Sequence, residues 1–375
     1  MAYLPLSTAN LPDPAIDPAQ GSSPQDYFGT LLWTGTGGSR TIADGESGVV
    51  GDVNFTPDFS WIKSRSLAAS HSLYDAVRTA GERLASDSTG AGGSNSAFGY
   101  LSSFTDGGFG VTTGTDGTNP DFYTNESSET YVAWNWKANG SGVSNTDGDF
   151  AVTVSANTES GFSIVDLTDP NTGASYEVGH GLDSPPEMFF IKKTNTTSDW
   201  SVYHKDVGND RRLVLNDLGG QSGSSSVYFG STTPTSSVVT IGSGLSTGDD
   251  WIMYCFHSVE GFSKFGSYQG NNLGGNDGPF VYLGFQPALV ILKYTGSSNG
   301  WFMFDNAREP NNHKDQFIMA DMDAFTTETT QAARGIDFVS NGFKLRTDAA
   351  FDPNASGTYI YMAFAENPFK YSNAR

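Results

Sequence analysis

The chain has 375 residues, with 20 basic and 41 acidic side chains, for a formal charge of −21 and a pI near 4.4. A field of that sign repels phosphate backbones and anionic lipid, so nucleic-acid partners and membrane insertion are excluded from the expected functions. Charged residues make up only 16%; 45 Gly, with abundant Ser, Thr and Asn, take their place, while 26 Phe, 16 Tyr and 7 Trp supply core material. Such a mixture describes short strands joined by frequent turns and is too aromatic for a disordered chain.

Residues 1–26 come first and hold five prolines (Pro5, Pro12, Pro14, Pro18, Pro24) with no basic residue. The segment cannot form a central strand or helix and tends towards extended polyproline geometry. It reads either as a disordered tail or as an attachment arm that orders against a neighbouring subunit or assembly partner. No basic residue precedes Arg40 and there is no apolar h-region, so no signal peptide is expected and synthesis is in a cytoplasm.

Beyond the arm the chain repeats itself. The spacing Pro-x5-Lys occurs at Pro57/Lys63, Pro186/Lys192 and Pro287/Lys293, where composition alone would give it about 0.4 times. The enclosed stretches are Phe59-Ser60-Trp61-Ile62, Met188-Phe189-Phe190-Ile191 and Leu289-Val290-Ile291-Leu292. Eight residues after each Lys stands His71, Trp200 or Trp301; eleven after, Tyr74, Tyr203 or Phe304; twelve after, Asp75, His204 or Asp305. Each unit opens on a strand marked by Phe28, Phe162 or Phe262. It closes on Tyr131-Val132-Ala133-Trp134, Trp251-Ile252-Met253-Tyr254 or Tyr361-Met362-Ala363-Phe364. Units are therefore drawn at 27–140, 160–258 and 260–367, with a linker at 141–159 and a C-terminal tail at 368–375. A period near 100 residues is too long for a solenoid and suits tandem small domains.

Within a unit the pattern is β. Trp301-Phe302-Met303-Phe304, Val281-Tyr282-Leu283 and Tyr359-Ile360-Tyr361-Met362 are short, aromatic and bounded by turn formers. Ser72 to Leu84 alone has helical character, yet Gly81 interrupts it. The expected fold is all-β: three tandem related, jelly-roll-like β-sandwich units, about six to eight strands each. Pro57, Pro186 and Pro287 are expected to start edge strands, where a missing N–H is harmless. Lys63, Lys192 and Lys293 are expected to solvate those edges.

Chemistry-bearing patterns are sparse. Cys255 is the single cysteine, which leaves no disulfide and no Cys-based metal site; it reads as a small buried apolar group. His71, His180, His204, His257 and His313 lack zinc spacing. Gly244-Leu245-Ser246-Thr247-Gly248 matches the nucleophile elbow, but strand rather than helix follows it, so a hairpin connection is expected. Gly35-Thr36-Gly37-Gly38-Ser39-Arg40 lacks the third glycine of a dinucleotide fingerprint. Asp116, Asn119 and Asp121, or Asp147 and Asp149, offer hard oxygens for Ca²⁺ but equally suit turns, the preferred reading. Trp200 and Trp301 are either core residues, favoured by their place in strands, or stacking platforms for sugars. No catalytic, cofactor-binding or metal residue is assigned, no cofactor is expected, and ligand-binding residues stay unassigned.

Several stretches resemble a family of bacteriophage structural proteins common in marine phages and usually described as tail fibre proteins. They are Pro57-Asp58-Phe59-Ser60-Trp61-Ile62-Lys63, Tyr131-Val132-Ala133-Trp134-Asn135-Trp136-Lys137, Pro234-Thr235-Ser236-Ser237-Val238, Gly261-Phe262-Ser263-Lys264-Phe265-Gly266-Ser267-Tyr268, Asp277-Gly278-Pro279-Phe280-Val281-Tyr282, Ser340-Asn341-Gly342-Phe343-Lys344-Leu345-Arg346 and Ala365-Glu366-Asn367-Pro368-Phe369-Lys370. The resemblance runs from about residue 10 to the C-terminus. It implies a non-enzymatic virion surface protein: a tail fibre or receptor-binding protein, homotrimeric, joined to other virion proteins through residues 1–26. Its expected target is a host surface glycan or outer-membrane receptor. A head fibre, capsid decoration or tail-tip component without receptor binding is the first alternative, and a surface-polysaccharide depolymerase the second.

Overall fold

A computed structural model describes residues 11–94, 96–273, 278–297, 299–322, 328–346 and 353–372. It is all-β, as expected, with only short 3-10 turns between strands. The stretch of helical character, Ser72 to Leu84, divides into the strands Ser72–Asp75 and Glu82–Arg83.

One strand order recurs in three antiparallel sheets. In the first, the opening strand Phe28–Thr34 pairs with the closing strand Thr130–Trp136. That strand pairs with the Pro-Lys strand Phe59–Ser64, which pairs with the aromatic strand Ser72–Asp75. In the second the same order is Phe162–Thr168, Asp250–Phe256, Met188–Lys193 and Ser201–His204. In the third it is Ser263–Gly270, Gly357–Pro368, Phe285–Tyr294 and Trp301–Asp305. Each large sheet faces a small one: Arg40–Ala43, Gly108–Thr112 and Tyr100–Thr105; Tyr176–Gly179 with Val238–Ile241; and Phe280–Tyr282, Gly342–Leu345 and Ile336–Val339. Among the described residues each unit has nine or ten strands, more than the six to eight expected. The excess has a definite source in the second unit. Residues 141–159, read as a linker, supply Val143–Asn145 and Val152–Asn157 to its large sheet.

Because strand side chains alternate between faces, each large sheet has two surfaces to bury. One packs on its own small sheet: Leu31, Trp33, Ile62 and Tyr131 meet Ile42, Leu101, Phe109 and Val111 in the first unit. The other surface joins a single central core shared by all three units. Trp61, Trp134 and Trp136 of the first meet Phe190, Tyr254 and Phe256 of the second and Ile291, Met362 and Phe364 of the third. Aromatic rings cross the boundaries, with Phe59 on Tyr254 at 4.4 Å and Phe28 on Phe364 at 5.0 Å. Burial on both faces explains why the Pro-Lys strands read as continuous apolar runs rather than alternating ones.

Three sequence expectations need correction. The Pro-Lys strands are not edges: each is flanked by the closing and aromatic strands. Pro57 and Pro186 sit two residues before their strands, and Pro287 lies at a bulge, which disposes of its missing N–H. Lys63, Lys192 and Lys293 are fully buried and solvate nothing. In the third unit the strand register also differs from the sequence alignment. Lys63 stands opposite Val132, Lys192 opposite Ile252 and Lys293 opposite Ile360, so Tyr359-Ile360-Tyr361-Met362 is the counterpart of Tyr131-Val132-Ala133-Trp134. Likewise the opening-strand counterpart of Phe28 and Phe162 is Ser263; Phe262 precedes it and is still buried in the central core.

Residues 11–26 fold back onto the chain's own units. Ile16 enters the central core, the Ala15 N–H donates to the Glu260 carbonyl, and Gln25 donates to the Glu366 carbonyl. Asp13 pairs with Lys370, and Tyr371 donates to Asp17. This part of the expected attachment arm is an intramolecular strap; residues 1–10 lie outside the described residues.

Candidate functional site

The repeated polar positions all lie at the junctions between units. Eight residues beyond each Pro-x5-Lys lysine, a ring nitrogen reaches a backbone carbonyl of a neighbouring unit. Trp200 donates to Ala85 at 2.8 Å, Trp301 donates to Val214 at 2.9 Å, and His71 bonds Met319 at 3.1 Å. The acceptors occupy matching places, since Val214 pairs with Ser201 and Met319 with Phe302, while Ala85 follows the Leu84 that bridges to Leu73. First unit to third, second to first, third to second: the three contacts close a ring. In His71 the tautomer follows from the partners, because the Trp61 indole N–H can only donate to Nδ1, leaving Nε2–H for the Met319 carbonyl. Burial holds this ring neutral, its pKa well below the usual imidazole value.

Two of the three lysines strap the same junctions. Lys192 Nζ donates to Thr89 O of the first unit at 3.1 Å, and Lys293 Nζ to Asp217 O and Leu218 O of the second at 3.2 and 3.0 Å. Lys63 donates to Ser64 O and Leu67 O. Burial lowers the Lys192 pKa to about 8. Trp200 and Trp301 are core residues with a polar duty, which decides against their reading as sugar platforms.

The other sequence candidates have structural roles. His204 Nδ1 accepts from the Asp206 N–H, and burial pushes its pKa down to about 3. His180 lies between Leu182 N and Thr235 O, with its pKa lowered by burial to about 4. His257 bonds the Pro185 carbonyl, and His313 stands 3.8 Å from Asp315. The Gly244–Gly248 segment is not a hairpin connection: it carries the chain from Val238–Ile241 in one sheet to Asp250–Phe256 in the other. Its Ser246 hydroxyl donates to Asp169, which also caps Thr247 N and Gly248 N, so the carboxylate organises the loop. Asp116 accepts from Thr118 N and Asn119 N, Asp121 from Gly38 N, Asp147 from Asn145 and Asp149 from Glu177 N. Each is a turn or loop acceptor, and no group of His, Cys, Asp or Glu among the described residues is arranged to hold a metal. Cys255 is fully buried, its thiol pKa raised by desolvation.

One concave site stands apart from this scaffold. A cleft of about 430 Å³ opens where the strap meets the second and third units, lined among others by Glu187, Lys205, Ser258, Lys264, Tyr282 and Pro368. Glu187 takes Lys205 at 2.6 Å and the Ser258 hydroxyl, so its carboxylate is fully engaged. Lys264 Nζ donates to Tyr282 O at 2.9 Å and lies 5.2 Å from the centre of the Tyr282 ring. Burial, reinforced by the nearby Lys205, lowers the Lys264 pKa. Tyr282 itself is 55% exposed.

None of these four residues is singled out by motif. The available signal was divergence within the repeat: Glu187 and Lys205 pair across one strand position that is Asp58/Ala76 in the first unit and Ala288/Asn306 in the third.

Over residues 23–368 the chain matches the family described as Domain of unknown function (DUF7483). No curated protein matches it.

Proposed function

Since the chain belongs to the DUF7483 family, whose description assigns no activity, we propose from its residues that it is a non-enzymatic protein of the phage particle surface that attaches to the host. The observation that carries this reading is the cleft between the second and third units, held by the ring of sandwiches. It offers an exposed aromatic ring and an ammonium; of its two carboxylates, Glu187 is tied up in an ion pair and a hydroxyl bond, and Glu260 is exposed at the rim. An aromatic platform beside a cationic donor is equipment for holding a ligand. The stretches that resemble phage tail fibre proteins support the placement on a virion. Two of them, Gly261 to Tyr268 and Asp277 to Tyr282, contribute Lys264 and Tyr282 to the cleft.

Attachment to other virion proteins belongs, on this reading, to residues 1–10 together with the outer surface of the strap. The closed rotational arrangement expected of a homotrimer has a counterpart inside one chain, where three large sheets already cover one another. The experiment is adsorption in the presence of the purified chain, with gold-labelled antibody on intact particles. Blocked adsorption and labelled particles are expected. Labelled particles with unimpeded adsorption would favour a structural virion component, and release of oligosaccharide from host polysaccharide would favour a depolymerase.

A further inference from the structure

We propose that the cleft between the second and third units binds an acidic saccharide, with Lys264 receiving the anionic group and Tyr282 stacking on a pyranose ring. This deepens the attachment reading and rests on it. The chain has ten lysines in a background of −21 charge. Four of them, Lys63, Lys192, Lys293 and Lys314, are buried. Of the remaining six, three line this one cleft: Lys205, Lys264 and Lys370. Lys205 is neutralised by Glu187 and Lys370 by Asp13. Lys264 has no carboxylate within ion-pair distance among the described residues, although Glu187 acts on it across the cleft and the exposed Glu260 also lines the cavity; the Tyr282 carbonyl takes one of its three N–H donors. A half-buried ammonium with open donors at the mouth of a cavity is an anion receptor.

The aromatic side is equally specific. Phe280–Tyr282 is a strand whose middle residue, Val281, is buried while Phe280 and Tyr282 are 48% and 55% exposed. Two residues apart on one strand face, the rings are spaced by about 7 Å, which suits adjacent sugar rings laid along the strand. The Tyr282 end leads into the cleft and to Lys264. The internal repeat supplies a control. Where this junction has Glu187 and Lys205, the equivalent strand positions hold Asp58 and Ala76, or Ala288 and Asn306; where it has Lys264, the opening strands hold Gly29 or Ser163. In each case the other two units build the same scaffold without the lysine, so folding does not require Lys205 or Lys264.

The anionic group can be the carboxylate of a uronic acid or a sugar phosphate, since an ammonium is a point charge that accepts either. Calorimetric titration of the full chain with trigalacturonate, glucose 6-phosphate and neutral galactotriose separates them. We expect at least one acidic sugar to bind about tenfold more tightly than the neutral one, in line with a charge-assisted bond. Lys264→Gln is expected to abolish that preference, and Phe280→Ala and Tyr282→Ala to weaken binding of the acidic sugar with the thermal transition unchanged. No binding of either acidic sugar at 10 mM, a concentration chosen at about the weak limit for single-site sugar recognition, would overturn the proposal. So would binding that Lys264→Gln leaves intact. Binding of the chain to host cells, measured in parallel, keeps the two readings apart. Cell binding insensitive to Lys264→Gln defeats the cleft assignment and leaves attachment standing, whereas sugar binding without cell binding does the reverse.

Discussion

Tyr254 of the second unit donates its hydroxyl hydrogen to Asp75 of the first, at 2.7 Å, deep in the central core. The equivalent closing-strand residue of the first unit, Trp134, donates its indole N–H to Asp305 of the third at 3.1 Å. Each carboxylate also holds an arginine three residues on, Arg78 or Arg308. The third place in the cycle is filled by Met362 and His204, where Val207 replaces the arginine. Two of the three junctions thus share one polar geometry. A double-mutant cycle on Tyr254→Phe and Asp75→Asn should return a coupling of about 1–3 kcal/mol, as for a buried hydrogen bond to a charged group. Denaturant unfolding of the four proteins measures it, and a coupling near zero would mean the contact contributes nothing to the junction.

Lys293 satisfies the Asp217, Leu218 and Asn299 carbonyls from a fully buried position. Lys293→Met keeps most of the volume but strands these acceptors, so we expect a loss of about 2–4 kcal/mol. Lys137→Met, at a partly exposed site, should change stability by less than about 0.5 kcal/mol. Urea midpoints distinguish the two.

Acid should loosen the molecule before carboxylates protonate. His71, His180 and His204 are held neutral by burial, with folded pKa values well below 6.5, about 4 and about 3 respectively. Below pH 6.5 the unfolded chain takes up protons that the folded chain refuses, so stability is complete above that pH and is lost as pH falls towards the folded values. At pH 5 His180 and His204 each cost about 2 kcal/mol. His204→Leu should therefore flatten the stability difference between pH 7.5 and 5 by about that amount. An unchanged pH slope in the variant would show that His204 is not the group responsible.

A shared core makes the three units one cooperative body. Calorimetry of the whole chain should give a single transition with matching calorimetric and van't Hoff enthalpies. Residues 141–258 alone would expose Phe190, Tyr254 and Phe256 and should show no cooperative transition. Light scattering of the whole chain tests the homotrimer: about three times 40.0 kDa is expected, and the mass of one copy would count against it.

The fold class and the repeating positions were legible because strand chemistry is local: aromatic runs between turn formers, and one Pro-Lys spacing kept three times. Two things were not. Register in the third unit misled because Tyr361-Met362-Ala363-Phe364 and Tyr359-Ile360-Tyr361-Met362 differ by two residues, a shift that leaves every side chain on the same face. Buried lysines misled because sequence cannot show that a carbonyl from another unit waits at Nζ. The continuous apolar character of Met188 to Ile191 and Leu289 to Leu292 did hold the missing information. Such strands need cover on both sides, and one small sheet per unit provides only one. The cleft stayed hidden for a different reason: Lys264 and Tyr282 are ordinary strand residues until the fold sets them beside Lys205.

The joining of three sandwiches in one polypeptide has a consequence for what can evolve at their seams. In an assembly of identical subunits, any new lysine appears at every seam at once, multiplying its repulsion and its desolvation. Here Lys205 and Lys264 occur once each, so a single seam can take on two lysines while its sisters keep Ala76 or Asn306 and Gly29 or Ser163 in their places.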